Sequence, residues 1–295
     1  MKNSLPEIRR KKLKELLSIK KNIRVMEASN GLTGIIVENT RVDNKEYDAL
    51  WLSSLCDSTL KGKPDNEVVD FTSRVKTIEE IFEVTTKPLI VDGDTGGKTE
   101  HFVYNIKTLE RLGVSAIIIE DKKGLKQNSL LGNSAPQILE EKEVFANKIQ
   151  QGKKALQTHD FMIIARIESY IANESLKEAL ERADCYIEAG ADGIMIHSYK
   201  DDGKEIISFL NKFRKKHPTI PIVLVPTTYS KYTETELYNN GANIIIYANH
   251  LLRSAYKNMV EVAKKILLDE RSLEASEEYC ISMKEILGLI GDGND

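Results

Sequence analysis

Cysteine is scarce in this chain. Only Cys56, Cys185 and Cys280 occur in 295 residues, far apart and without paired or metal-ligand spacing. That excludes a disulfide framework and fits a reducing compartment, so a cytoplasmic protein is expected. No apolar run approaches the roughly 20 residues of a membrane-spanning helix, and no membrane association is expected. Charge of one sign is lacking too: 42 Lys and Arg stand against 45 Asp and Glu, a formal net charge of -3. The lysines are scattered along helical stretches rather than gathered in a block, so nucleic acid is not an expected partner. Residues 1–21 are basic but have no signal-peptide core. Leu5, Ile8, Leu13, Leu16 and Leu17 are interleaved with lysines, Glu7 and Glu15, which reads as an N-terminal helix.

What is present is a repeated event. The run Leu89-Ile90-Val91 stops abruptly at Asp92-Gly93-Asp94-Thr95-Gly96-Gly97, as a buried strand ending in a site would. If strand geometry persists through Gly93, Asp92 and Asp94 point to the same side. Short apolar runs also occupy 23–28, 48–52, 114–119, 161–165, 193–196, 221–225 and 243–246, each followed by a helix-periodic stretch. The segment 56–66 is too polar and broken for an element and reads as a loop. Helical stretches at 251–268 and 274–289 end the chain, a C-terminal helical region spanning about 250–290. Eight strand–helix repeats without a linker predict an α/β fold, a single (β/α)8 TIM-type barrel over 1–295 with additional terminal helices. A doubly wound open sheet is the competing architecture. A closed barrel would gather Asn30, Trp51, Ser53, Asp92, Asp94, Glu120, Arg166, His197 and Thr227 into one polar ring at its C-terminal face, where active sites of this fold lie.

Asp92, Asp94 and Glu120, with Asp65 in reach from the 56–66 segment, form a hard-oxygen set suited to Mg2+ or Mn2+ rather than zinc. Mg2+ keeps several waters, so some of these acids would hold it only through water. Arg166 offers a planar fork to a carboxylate or phosphoryl group, and His197 a second donor. The polar stretch between Gly124 and Gly132 adds Lys126, Asn128 and Ser129, which could close over an anion. The set fits a small, multiply anionic substrate.

Several stretches at these positions identify the chain as resembling the phosphoenolpyruvate mutase family, within the isocitrate lyase and phosphoenolpyruvate mutase superfamily. They are residues 51–65, Val91-Asp92-Gly93-Asp94-Thr95-Gly96, and Glu120-Asp121-Lys122 followed by five residues and Asn128-Ser129. Ala165-Arg166-Ile167-Glu168, Ile196-His197-Ser198 and Val225-Pro226-Thr227-Thr228-Tyr229 match as well. The resemblance implies a Mg2+-dependent barrel, a homodimer or homotetramer with swapped C-terminal helices, that interconverts phosphoenolpyruvate and phosphonopyruvate. It implies Asp92 as the direct metal ligand, Asp94 and Glu120 holding the metal's waters, and Asp65 as an essential carboxylate beside the migrating phosphoryl group. Trp51 would wall the pyruvate pocket beside Ser53. The backbone N–H groups of Ser54 and Leu55, with Arg166, would bind the pyruvyl oxygens. His197, Arg166, Lys126, Asn128, Ser129 and Leu130 would face the phosphoryl group. A downstream phosphonopyruvate decarboxylase or transaminase is implied, since phosphonopyruvate is the less stable isomer. The lyases of the superfamily carry a Lys-Lys-Cys-Gly-His loop, which Lys122-Lys123-Gly124-Leu125 does not match. Phosphonopyruvate hydrolase is the nearer alternative and departs at the loop asparagine, present here as Asn128. A catalytically silent scaffold is disfavoured by the intact carboxylate set.

Overall fold

Branched apolar residues in runs too short for helices pair as strands, and the amphipathic stretches between them cover the outside of the resulting sheet. The computed structural model describes residues 4–129 and 137–290. In chain order the elements are α1 (Pro6–Ile19), β1 (Ile23–Glu27), α2 (Gly31–Asn39), β2 (Arg41–Val42), β3 (Lys45–Glu46), β4 (Ala49–Leu52), α3 (Ser54–Leu60), α4 (Phe71–Phe82), β5 (Leu89–Asp92), α5 (Thr99–Leu112) and β6 (Ala116–Glu120). They continue with α6 (Lys142–Ala155), β7 (Met162–Ile167), α7 (Leu176–Glu188), β8 (Gly193–Ile196), α8 (Lys204–Lys216), β9 (Ile222–Leu224), α9 (Glu234–Asn239), β10 (Ile244–Tyr247), α10 (His250–Asp269), α11 (Leu273–Tyr279) and α12 (Met283–Leu289).

Strands β1, β4, β5, β6, β7, β8, β9 and β10 pair in that order, all parallel, and β10 returns to β1. This closed eight-stranded barrel is the expected (β/α)8 fold. β2 and β3 form a separate antiparallel hairpin that periodicity did not suggest, being only two residues each.

Alternation along each strand sorts its side chains. Ile23, Val25, Ile90, Ile118, Ile164, Met195, Val223 and Ile244 point inward and make one apolar cluster, closed at the N-terminal end by Leu13 of α1. The intervening residues pack outward against the helices, as Val91, Ile117 and Ile163 do against Phe102, Ile106 and Ile149. Gly113 ends α5 with φ +91°, and a Cβ there would lie 2.6 Å from Pro6, so the tight approach of α1 demands glycine.

Two expectations are corrected. The 56–66 segment is not wholly irregular, because α3 runs to Leu60. Ser53 Oγ accepts from the Cys56 N–H, and the buried Asp57 is paired with Lys61 and Arg74. Polarity there reflects internal pairing rather than exposure to water. The 274–289 stretch is two helices, because Ser282 starts a new one with a capping box to Glu285.

Candidate active site

The inward parity of the strands continues past their last apolar residue. Two positions beyond Ile90 stands Asp92, beyond Ile118 Glu120, beyond Ile164 Arg166, and beyond Met195 His197. These side chains therefore cap the apolar interior at the barrel's C-terminal end. A cavity of about 60 Å³ opens there, lined by Trp51, Ser53, Ser54, Leu55, Asp65, Asp92, Lys126, Asn128, Ser129, Arg166, His197 and Thr227, among others. Asp94 and Glu120 stand behind this lining, and both are buried. Asn30 does not line it: its side chain accepts from the Thr33 N–H and caps α2. Leu130 lies outside the described residues.

One side of the cavity is a carboxylate cluster around a single ammonium. Lys126 Nζ lies 2.9 Å from Asp94 Oδ1 and 3.4 Å from both Asp92 Oδ2 and Asp65 Oδ1, and it also hydrogen-bonds Ser54 Oγ. Asp94 reaches the cluster by a different route from the one strand alternation suggests. Its φ is +53°, so the chain turns there rather than continuing as strand. A Cβ at Gly93 would lie 2.7 Å from Ile117, which leaves that position to glycine. Arg74 of α4 holds Asp94 from behind, Nη1 to Oδ2 at 2.7 Å, and also donates to the Asp92 carbonyl at 2.9 Å. Burial pushes the Asp94 carboxyl up, but Lys126 and Arg74 outweigh it and hold Asp94 well below the usual carboxylate range. Burial works against the Lys126 ammonium too, and Asp92 and Asp94 reverse it, so its pKa is raised.

The other side is a fan of donors. Arg166 Nε lies 2.5 Å from Glu168 Oε1, and its Nη2 lies 2.8 Å from Ser129 Oγ and 2.9 Å from His197 Nδ1. Burial and then the Arg166 guanidinium lower the His197 pKa, so the imidazole is neutral at pH 7. His197 Nδ1 also lies 3.1 Å from Glu168 Oε1, so it stands between a guanidinium that donates and a carboxylate that accepts. Burial pushes Glu168 up, yet Arg166, His197 and Lys122 hold it well below the ordinary carboxylate range. Asn128 Nδ2 donates to Asp65 Oδ2 at 2.9 Å and so joins the two sides.

The donor set fits a hard divalent cation. Both Glu120 oxygens and Asp65 Oδ1 are buried without a hydrogen bond among the described residues, and burial pushes the Glu120 carboxyl up to about 7 against the pull of Arg166. Asp92, Asp94 and Asp65 already converge on one positive charge. Among the described residues no three carboxylates form a ready-made cage, which matches an ion that keeps most of its waters.

Ser54 departs from its expected place in one respect. Its N–H and Oγ lie 3.3 and 2.8 Å from Asp92 Oδ2, so both serve the carboxylate cluster. Sequence reasoning missed Arg74, Asp57, Lys122 and Glu168 as parts of the site. Lys122 and Glu168 fall inside the stretches that carry the resemblance, whereas Arg74 sits in the first turn of α4 with no local signal. Cys56 is buried, its Sγ lies 3.3 Å from the Ala248 carbonyl, and burial pushes its thiol up, so it is inert.

Fold and site together define a (β/α)8 enzyme built for a small, multiply anionic substrate. Residues 13–267 match the phosphoenolpyruvate phosphomutase family, and the chain belongs to it. It is 34% identical to the phosphoenolpyruvate phosphomutase of Tetrahymena pyriformis over 281 residues, 95% of this chain and 90% of that one. The crystal structure of phosphoenolpyruvate phosphomutase from Streptomyces platensis subsp. rosaceus superposes with a TM-score of 0.87 at 31% identity, covering 94% and 93% of the two chains. A phosphonopyruvate hydrolase, crystallised with oxalate and Mg2+, superposes with a TM-score of 0.85 at 31% identity, covering 96% and 95%.

Proposed function

We propose that this protein is a phosphoenolpyruvate mutase, an isomerase that interconverts phosphoenolpyruvate and phosphonopyruvate. The observation that carries the reading is the division of one cavity into a carboxylate side and an Arg166–His197–Ser129 side, bridged by Asn128 and Asp65. In the forward direction the bond between the enol oxygen and phosphorus breaks, the pyruvate enolate remains, and its C3 forms the new bond to phosphorus. No proton, water or electron is consumed. The transferring group passes through a loose, metaphosphate-like state, so catalysis is mainly positioning and charge stabilisation. Arg166 and His197 face the phosphoryl oxygens, with Asn128, Ser129 and Lys126. Trp51 and Ser53 shape the pyruvyl end, where the α3 N-terminus presents Leu55.

The cofactor of this reading is Mg2+, with Mn2+ as a substitute, held by Asp92 directly and by Asp94 and Glu120 through water. When bound it would stabilise negative charge on the enolate and carboxylate oxygens. Leu130 is assigned to the phosphoryl-facing set by the family resemblance alone. Phosphonopyruvate hydrolase chemistry differs only in that water, rather than C3, captures the phosphoryl group. Phosphorus NMR with Mg2+ and phosphonopyruvate separates the two. Phosphoenolpyruvate is the expected product, and inorganic phosphate with pyruvate would replace the mutase by the hydrolase.

The chain is read as one domain over 1–295, working in the cytoplasm. No helix among the described residues is long and apolar enough to cross a membrane. A decarboxylase or transaminase must remove phosphonopyruvate, the less stable isomer. Assembly as a homodimer or homotetramer is read from α10, which has no buried residue along its 20 positions, and from α12. Leu267 and Leu268 are 81% and 77% exposed, and Met283 and Leu287 are each 71% exposed. A second copy supplying the same helices would cover these faces. The double variant Leu267→Asp, Leu268→Asp is expected to elute as a monomer with light scattering, where the unaltered chain is oligomeric. An unchanged mass would exclude this face as the interface.

A further inference from the structure

Lys122 stands two residues past the end of β6, and its side chain is 2% exposed. An ammonium has three N–H donors and no acceptor. Its Nζ donates to the Gln127 carbonyl oxygen and to Ser129 Oγ, each at 2.7 Å, and is ion-paired with Glu168 Oε2 at 3.0 Å. Glu120 Oε1, at 3.6 Å, adds an interaction of charge alone. The Ser129 hydroxyl donates to Glu168 Oε2 at 2.5 Å and accepts from Lys122 and Arg166. Glu168 Oε1 in turn holds Arg166 and His197. One buried ammonium thus touches both the backbone of the 126–129 segment and the carboxylate that orients the phosphoryl-facing pair. The proposed reaction gives it no contact with substrate.

We propose that Lys122 is a positioning residue for phosphoryl transfer, fixing the 127–129 backbone onto the Arg166–Glu168–His197 set so that Asn128 and Lys126 meet the cavity from a rigid base. This rests on the phosphoryl-transfer reading of the site. Its physical basis is charge balance as well as geometry. Around the buried Glu120 and Glu168 stand two basic side chains, Arg166 and Lys122, each within 3.6 Å of both carboxylates. Removing Lys122 leaves a buried carboxylate underpaired and frees two acceptors on the segment that carries Asn128. The groups facing His197 are Arg166 and Glu168 from β7 and its end, and Lys122 from the end of β6. Loss of the Lys122 charge removes a repulsion on the imidazolium, so His197 should then titrate at higher pH.

The test is Lys122→Met, read by phosphorus NMR during turnover of phosphonopyruvate and by imidazole NMR titration of His197 without substrate. Expected are a fall in kcat of about tenfold or more with a smaller change in KM, a larger share of inorganic phosphate among the products, and an upward shift of the His197 titration. Lys123→Met, an exposed neighbour, should match the unaltered chain. A product ratio and a His197 titration both unchanged in Lys122→Met overturn the proposal. If Lys122→Met does not fold, Lys122→Gln, which keeps polar reach but no charge, carries the same two measurements. Absence of turnover by the unaltered chain sinks the phosphoryl-transfer reading itself, and turnover with an unaffected variant sinks only the assignment of Lys122.

Discussion

Arg166→Ala will lower phosphonopyruvate turnover by about 10³- to 10⁵-fold, the span over which an arginine that stabilises phosphoryl charge acts. Arg166 is 8% exposed; Glu168 engages its Nε, Ser129 and His197 engage its Nη2, and its Nη1 lies 3.4 Å from Glu120 Oε2. Burial disfavours its charge, but Glu168 and Glu120 more than compensate, so it remains a cation at every working pH. The alanine variant removes that charge and also takes the Arg166 contact away from His197 Nδ1. The fold should persist, since Glu168 retains Lys122 and His197, although breaking a buried pair of this kind costs about 3–5 kcal/mol and should lower the melting temperature. Arg166→Lys should recover little, because one point charge cannot reach three partners arranged around a planar fork. Steady-state rates with circular dichroism check this, and a rate within about tenfold of the unaltered chain would remove Arg166 from the reacting centre.

The barrel was legible because its signal is local and repeated. In four of the strands the apolar run ends in a polar residue two positions beyond an inward one, and that parity places Asp92, Glu120, Arg166 and His197. Where parity failed, the backbone left the strand: Asp94 reaches its partners through a left-handed turn, and Asn30 was drawn off to cap α2. The segment 56–66 was read as a loop because it is polar and broken, whereas its first residues form α3 and Asp57 is fully buried beside Arg74 and Lys61. Arg74 illustrates a limit of pattern reading. Its role depends on α4 packing against β5, a contact between elements that no spacing within α4 encodes. Lys126 was readable as a basic loop residue, but not as the centre of the carboxylate cluster, because the acids around it, Asp65 and the Asp92–Asp94 pair, lie in two segments distant from it in the chain.

Asp65→Ala is expected to lower turnover by about 10²-fold or more, the loss that misplacement of reacting groups by about 1 Å can cause. Asp65 belongs to no helix or strand, lying between α3 and α4, yet its side chain is only 6% exposed. Contacts across the cavity fix it, Asn128 Nδ2 at 2.9 Å and Lys126 Nζ at 3.4 Å. Alanine leaves the Asn128 amide without this acceptor and takes one of the carboxylates from around Lys126, leaving Asp92 and Asp94 within 3.4 Å of it. Because these contacts join side chains at the cavity rather than elements of the core, the melting temperature should change little while the rate falls. Asp65→Asn separates geometry from charge: its amide oxygen still accepts from Asn128, but its negative charge is gone. Recovery of most of the rate would make Asp65 a positioning group, whereas a rate as low as that of the alanine variant would mean that the carboxylate charge itself acts on the transferring group. Near-normal turnover in Asp65→Ala would contradict both, and would place the migrating phosphoryl group away from the junction of Asp65 and Asn128.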